Sequence, residues 1–158
     1  MLRLSFDIAG ERQIDRLLAV SIEKTADLSP AFDTIGDYFR TAMALQFRTE
    51  GSRGLLSAWS TDYTAAYAKA KKKRLGSVHP ALFLTGRLRA SFVQRSNANN
   101  ITRTSRNSFE FGSSVPYALP HHKGSGVQEQ RKIIALTKSD VRAVSKIVQT
   151  HIVSGGRR

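Results

Sequence analysis

Residues 29–47 read SPAFDTIGDYFRTAMALQF and carry the pattern of an amphipathic helix. Ser29 followed by Pro30 is a usual helix start, with serine as the cap and proline in the first turn. Large apolar side chains then recur at helical spacing, at Phe32, Ile35, Phe39, Met43 and Phe47. Such a stripe predicts a helix with one buried face. We expect Gly51 to end it.

Upstream of this helix, two further elements are predicted. Residues 2–8 alternate apolar and polar side chains, which indicates a half-buried N-terminal strand that Gly10 ends. Residues 11–25 then carry an apolar stripe at Ile14, Leu17, Leu18 and Ile22. This spacing predicts an amphipathic helix, and its apolar face needs a partner surface.

Downstream, Trp59 and the cap residues 60–62 predict the start of a third helix, with Tyr63 and Tyr67 packed along one of its faces. Its last turns hold a run of cations, where positive charge suits the C-terminal end of a helix dipole, and Gly76 is expected to end it. The run comprises Lys69, Lys71, Lys72, Lys73 and Arg74.

From Ser91 to Ser114, the residue pattern no longer has helical spacing. Short β-prone runs between Ser91 and Ser114, the first of them Phe92-Val93, predict an antiparallel β-meander. Residues 117–130 are expected to form a long exposed loop, because they hold proline and glycine but few apolar side chains. A capping box at residues 137–140 opens a closing helix with Val141, Val144, Val148 and Ile152. We therefore predict one α+β domain over residues 1–153 and a flexible basic tail over 154–158.

Charge is distributed unevenly along the chain. The 158 residues carry 25 Lys+Arg against 12 Asp+Glu, a formal net charge of +13. Residues 1–50 hold 6 basic and 8 acidic side chains, whereas residues 51–158 hold 19 and 4. The protein is thus expected to be electrically two-sided, with a basic part that attracts polyanions or acidic protein surfaces.

Composition also excludes several classes. The chain has no cysteine, which rules out disulfides, thiolate nucleophiles and cysteine metal sites. The N-terminus lacks the apolar run of a signal peptide, and no apolar stretch is long enough to span a membrane. We therefore expect a protein that is neither secreted nor inserted in a membrane.

No residue pattern indicates catalysis. Beyond residue 50 the acidic residues are few and fall at predicted caps, strands or loops, so a pair of catalytic carboxylates is not supported. A G-x-S-x-G elbow and a Walker lysine are both missing from the sequence, and the glycines near residues 51 and 124 are better explained as turns. The adjacent His121-His122 pair is a poor metal site, because neighbouring side chains rarely point at one ion. We expect no enzyme activity, no metal and no cofactor.

The basic residues leave three interpretations open. They can bind DNA phosphates without sequence specificity, or an acidic protein surface, or the run can simply be a solvated helix end. A helix-turn-helix and an aromatic RNA-binding signature are both missing, so any nucleic-acid contact would be electrostatic. The candidate contact residues are Lys71, Lys72, Lys73, Arg74, Arg87 and Arg89.

Two segments resemble a known family. Residues 82–92, the first motif block, resemble the L-x-x-T-G-x-L-x-x-S-[hydrophobic] signature of tailed-phage virion-morphogenesis and tail-completion proteins, with matches at Thr85, Gly86, Leu88 and Ser91. Residues 111–124, the second motif block, resemble that family's G-s-x-x-x-Y-A-x-x-H-x-x-G segment. Its matches are Gly112, Tyr117, Ala118, His121 and Gly124.

Weaker similarity extends over most of the chain. Residues 47–51, Trp59 and the lysine-rich helix are similar to the family's F-x-x-x-G … W … K lead-in, and residues 136–137 are similar to its closing l-t-x-x-D. The chain departs from the family at residues 128–134, where only Arg131 matches a proline- and arginine-rich segment.

The residue physics suggests roles for both blocks. Gly86 permits backbone geometry that other residues avoid, Thr85 can cap the following turn, and Leu88 can anchor that turn to the core with Phe92. Tyr117 with Ala118 would fix the start of the long loop. That would leave His121, His122 and Lys123 to face a neighbouring protein.

The resemblance implies a structural, non-enzymatic protein of the phage neck. Such a protein forms a homo-oligomeric ring around the DNA channel, joins portal- or adaptor-side proteins to tail-tube- or terminator-side proteins, and resides in the virion after assembly in the host cytoplasm. An acidic first third meeting a basic remainder suits head-to-tail packing in a ring. Alternatives are a nucleic-acid-binding protein without sequence specificity and a capsid-associated assembly factor.

Overall fold

The computed structural model describes residues 26–53, 56–60, 63–78, 80–124 and 129–154. Within these ranges the chain forms helices and one antiparallel two-stranded sheet, which confirms the predicted α+β class. The elements are α1 (Ser29–Arg48), α2 (Ala65–Leu75), α3 (Arg87–Val93), β1 (Asn100–Thr104), β2 (Phe109–Ser113), α4 (Ala118–Lys123) and α5 (Lys138–Ser154). The predicted strand over 2–8, the predicted helix over 11–25 and tail residues 155–158 lie outside the described residues. None of the helices described is long and apolar enough to cross a membrane.

Helix α1 confirms the helix predicted over residues 29–47, but its N-cap is Leu28 rather than Ser29, and no side chain caps it. Ile35, Met43 and Phe47 are buried, and Pro30 lies in the first turn. After the helix, the Gly51 N–H donates to the Gln46 carbonyl at 2.9 Å, with a positive φ of 93°. Gly51 is needed here, because a Cβ at this position would lie 2.5 Å from Cδ1 of Trp59.

A row of aromatic rings joins α1 to the sheet and to the core. Neighbouring centroids along this row lie 5.2–6.3 Å apart. The rings belong to Phe32, Phe109, Phe39, Phe111, Phe92, Phe47 and Trp59. Burial of these large apolar side chains holds the hairpin against α1.

The predicted β-meander is wrong in its first strand. Phe92 and Val93 lie in α3, and the sheet consists of β1 and β2 alone, paired from Asn100↔Ser113 to Thr104↔Phe109. Leu88 and Phe92 lie one helical turn apart and are both buried. A helix places both side chains on the one face that packs into the core. This burial outweighs the β-propensity of Phe92-Val93.

The predicted long loop over 117–130 is also wrong in its first half, which forms the short helix α4. Its Ala118 is buried in the core, and Gly124 follows the last turn. Residues 125–128 of the predicted loop lie outside the described residues.

Helix α5 begins with the predicted capping box. The Thr137 hydroxyl accepts from the Asp140 N–H at 3.2 Å, and Asp140 Oδ2 accepts from the Thr137 N–H at 2.7 Å. The helix packs against α1 and ends at Ser154, one residue into the predicted tail.

Candidate functional site

The two motif blocks meet at one cleft of about 690 Å³. From the first block come Leu82, Leu84, Thr85, Gly86, Arg87 and Leu88, and from the second block Tyr117 and His121. Tyr63, Thr64, Tyr67, Glu129 and Arg131 complete the wall. Segments that lie far apart in sequence therefore build one surface.

The first block is fixed by backbone geometry and burial. Gly86 has a φ of 75° immediately before α3, and the Thr85 hydroxyl accepts from the Arg87 N–H at 3.4 Å. Ser91 is fully buried, donates to the Leu88 carbonyl at 2.7 Å and pairs with the Ser113 hydroxyl at 2.7 Å. The bond between Ser91 and Ser113 ties α3 to β2 behind this edge of the cleft.

In the second block, some residues support the fold and others are exposed. Ala118 is buried and Gly112 lies in β2, whereas Tyr117 remains 40% exposed. The Tyr117 ring meets the His121 ring edge-on, with centroids 6.1 Å apart. Burial lowers the pKa of His121, and the nearby Arg131 cation lowers it further, so both favour the neutral imidazole.

Residues 131–133 run beside α4 and limit what its histidines can contact. The Arg131 N–H donates to the His121 carbonyl at 2.8 Å, and His122 Nδ1 accepts from the Ile133 N–H at 3.2 Å. His122 is thus used within the chain, while Lys123 remains exposed. Of the three residues predicted to face a neighbouring protein, only Lys123 is exposed, and both histidines are partly buried.

Arg131 is a residue of the cleft wall whose burial is not indicated by the local sequence. It is 5% exposed, its Nε donates to the Ser60 carbonyl at 3.0 Å, and its guanidinium lies 5.6 Å from the Tyr63 ring centroid. The residue thereby places a fixed positive charge in the cleft wall. Local sequence does not distinguish it from other arginines, and only the resemblance marked it.

The burial of Lys71 corrects its selection as a residue that contacts DNA or an acidic partner. It is 1% exposed, its Nζ donates to the Pro80 carbonyl at 2.7 Å, and the ammonium lies 5.0 Å from the Tyr63 ring centroid. Burial lowers the pKa of Lys71 and raises that of Tyr63. Lys72, Lys73 and Arg74 are exposed, so a partner can reach them but not Lys71.

The other two candidate cations, Arg87 and Arg89, line different surface grooves. Arg87 lines the cleft and donates to Asn99 Oδ1 at 3.4 Å, whereas Arg89 lines a second groove of about 570 Å³ together with Arg48 and Leu45. Residues two apart on a helix lie on nearly opposite faces. The predicted basic residues therefore form no single patch.

The cleft combines apolar walls, tyrosine rings and arginines. The third helix was predicted to open at cap residues 60–62, but α2 begins at Ala65 with Thr64 as its cap, so Tyr63 precedes the helix and only Tyr67 lies on it. The two tyrosine ring centroids lie 4.9 Å apart, and both rings line the cleft. Across the ranges described, no group of three or more His, Asp or Glu side chains is placed to hold a metal ion. Such a wall suits a polypeptide that carries large apolar side chains and a carboxylate.

No family model, curated protein or solved structure matches this chain.

Proposed function

We propose that the chain is a structural protein of the head–tail neck of a tailed phage. It assembles as a homo-oligomeric ring around the DNA channel and joins portal-side to tail-side proteins. The observation that carries this proposal is the convergence of both motif blocks on one cleft, whose Tyr67 and Tyr117 stay 41% and 40% exposed.

The cleft supports an interface role through its chemistry. Tyrosine and arginine are enriched where proteins bind one another, because each combines a large contact area with polar atoms. Tyr63 and Arg131 are held in place by contacts within the chain, so little ordering is needed when a partner docks.

Charge supports head-to-tail packing. Asp33 and Asp37 are exposed on α1, where they pair with Arg95 and Arg40 of the same chain, whereas Lys72, Lys73 and Arg74 are exposed at the end of α2. A ring brings two different surfaces of neighbouring subunits together, and opposite charges on those surfaces favour one orientation.

A second candidate function is nucleic-acid binding without sequence specificity. The exposed cations at the end of α2 favour it, because phosphate contacts need accessible lysine and arginine. In a neck ring, the same cations would lie on the side of the DNA channel.

Light scattering on the purified protein tests the proposal, across a salt series and with and without duplex DNA. We expect a discrete multiple of 17.5 kDa that persists without DNA. The double variant Tyr67→Ala, Tyr117→Ala should lower that mass, whereas Val153→Ala, an exposed apolar change on α5, should leave it unchanged.

Three results would count against the ring. A monomer under every condition contradicts self-assembly. An oligomer that the tyrosine variant leaves intact separates assembly from the cleft. A monomer that gains mass only with DNA, and loses it as salt rises, favours the nucleic-acid binder.

A further inference from the structure

A second groove on the molecule is separate from the cleft and has no role in the proposed function. It has a volume of about 570 Å³, and its wall is formed by α1, by residues 80–83 and by α3. Among the described residues, none lines both this groove and the cleft that the two motif blocks form. The groove is therefore a distinct surface on which a ligand can bind.

The α1 side of the groove is one row of side chains along the helix. Thr41, Ala44, Leu45 and Arg48 lie at positions i, i+3, i+4 and i+7, which places them on one helix face. Leu45 is 37% exposed, whereas Met43 of the same helix is buried. The row is about 10 Å long, which is two helical turns. A row of this kind accepts the side chains of a second helix.

The groove also contains apolar surface from outside this row. Phe47 is buried, Phe83 is partly buried and Pro80 is exposed, and all three line the groove. The Phe83 ring is held close to the turn before α3, where a Cβ added to Gly86 would lie 3.3 Å from it. An apolar side chain that enters the groove would be removed from water, and this burial drives the binding of helices in apolar grooves.

Two arginines from different helices border the apolar surface. Arg48 in the last turn of α1 and Arg89 on α3 are both exposed. Neither guanidinium forms a hydrogen bond or an ion pair with another described residue, and no acidic side chain is present in the described part of the groove wall. Carboxylates beside an apolar helix face would complement both cations. Phosphates of a nucleic acid would pair with the arginines but would leave the apolar surface uncovered.

We propose that this groove binds an acidic amphipathic helix of another protein. Apolar side chains of that helix pack on Leu45 and Phe83, and carboxylates beside them pair with Arg48 and Arg89. The inference does not depend on the proposed neck function, because it rests on the shape, the apolar surface and the charge of the groove.

A designed peptide tests the proposal. The probe is a fluorescein-labelled peptide of about 14 residues with leucines on one helical face and glutamates beside them, and the control peptide has the same composition with the leucines scattered. Fluorescence anisotropy with the full chain should show that the amphipathic probe binds at least about tenfold more tightly than the control. Failure of the probe to bind, or equal binding of both peptides, would overturn the proposal.

Removal of the two cations should weaken this binding. Arg48→Gln with Arg89→Gln should raise the Kd of the probe at least about tenfold. The matched control, Arg142→Gln with Lys146→Gln, removes two exposed cations from α5. It should raise the Kd less than about threefold, because it changes only the overall charge. Equal losses in both double variants would show that the net positive charge attracts the peptide, which contradicts a specific site.

The apolar contact is tested separately. Leu45→Gln should raise the Kd of the probe at least about fivefold, because it removes the exposed apolar side chain of the row. Val153→Gln, an exposed apolar change on α5, should leave the Kd unchanged. Both positions are exposed, so both variants should keep the unfolding midpoint of the parent chain. Unchanged affinity in Leu45→Gln would disprove packing on this row.

Two further measurements distinguish other occupants of the groove. Light scattering of the Arg48→Gln, Arg89→Gln variant should give the mass of the parent protein, and a lower mass would assign the groove to a second copy of the chain. The affinity of this variant for duplex DNA should fall no more than that of the Arg142→Gln, Lys146→Gln control. A larger fall would assign the two arginines to phosphate binding. Either of these results would overturn the proposal.

Discussion

Arg53 and Asp140 form a bidentate ion pair between the segment that follows α1 and the first turn of α5. Arg53 Nη1 lies 2.7 Å from Asp140 Oδ1, and Nη2 lies 2.9 Å from Oδ2. Both side chains are buried, and the Tyr38 hydroxyl also donates to Asp140 Oδ1 at 2.7 Å. One carboxylate thus caps α5 and fastens it to the rest of the fold.

Removing Arg53 should destabilise the protein strongly. Arg53→Ala leaves a buried carboxylate without its cation, which costs about 3–5 kcal/mol. The free energy of unfolding in urea measures this, with fluorescence of Trp59, the chain's one tryptophan, as the signal. Arg103→Ala removes the exposed pair with Glu110 and should cost at most about 1 kcal/mol. Similar losses in both variants would contradict the assigned role of the buried pair.

Acid should weaken the fold through Asp140. Burial acts to raise its pKa, but hydrogen bonds from Arg53, Thr137 and Tyr38 outweigh burial and hold the pKa well below its usual range. Because the unfolded carboxyl titrates near about 3.9, this stabilisation is present above about pH 4 and is lost as pH falls further. Urea unfolding across this range should show a shallower acid decline in Asp140→Asn than in the parent chain. Parallel declines would disprove the link.

The glycine beside Trp59 should be irreplaceable. Gly51→Ala forces a side chain into positive φ and against the indole ring, and we expect a loss of about 3 kcal/mol from strain and overpacking. Gly112→Ala is the control, because its Cβ would lie 3.9 Å from Ile101 Cβ, and it should change stability by less than about 1 kcal/mol. Thermal or urea unfolding distinguishes them, and equal tolerance would refute the close approach.

Neighbouring lysines on α2 should behave differently. Lys71→Ala removes a buried stem and the donor to the Pro80 carbonyl, which should cost about 2–4 kcal/mol. Lys72→Ala changes an exposed side chain and should alter stability by no more than about 0.5 kcal/mol. An equally small effect of both changes on the free energy of unfolding in urea would show that the buried contacts of Lys71 do not stabilise the fold.

Charge reversal at the end of α2 should affect partners rather than the fold. The triple change Lys72→Glu, Lys73→Glu, Arg74→Glu alters exposed side chains, so the unfolding midpoint should stay nearly constant. Affinity for duplex DNA or for an acidic neighbour should fall, and the slope of affinity against salt should become shallower by up to about 3. Under the proposed neck function, virion completion in a complementation assay should also fail, and normal infectivity would contradict the contact role.

The sequence was most informative where structure depends on neighbours within one or two turns. The stripe from Phe32 to Phe47 predicted α1, Gly76 ended α2, and the Thr137 and Asp140 pair marked the cap of α5. These features need only helical periodicity and local hydrogen bonds, which are written into consecutive residues.

Local propensity predicted the wrong secondary structure where contacts with distant segments determine it. Phe92-Val93 has β-prone residues but is helical, because Leu88 and Phe92 must share one buried face. Residues 118–123 contain proline and two histidines, yet they form α4, which Ala118 anchors in the core. In both places, burial against other segments outweighs a propensity difference of about 1 kcal/mol or less.

The sequence by itself determined the α1 stripe, the charge asymmetry and the two motif blocks. Only the tertiary structure decided that those blocks share a cleft, that Lys71 is buried while Lys72 is exposed, and that Arg131 lies against Tyr63. The reason is physical: periodicity and caps are set by residues close in the chain, whereas burial and the pairing of charges depend on which distant segments meet.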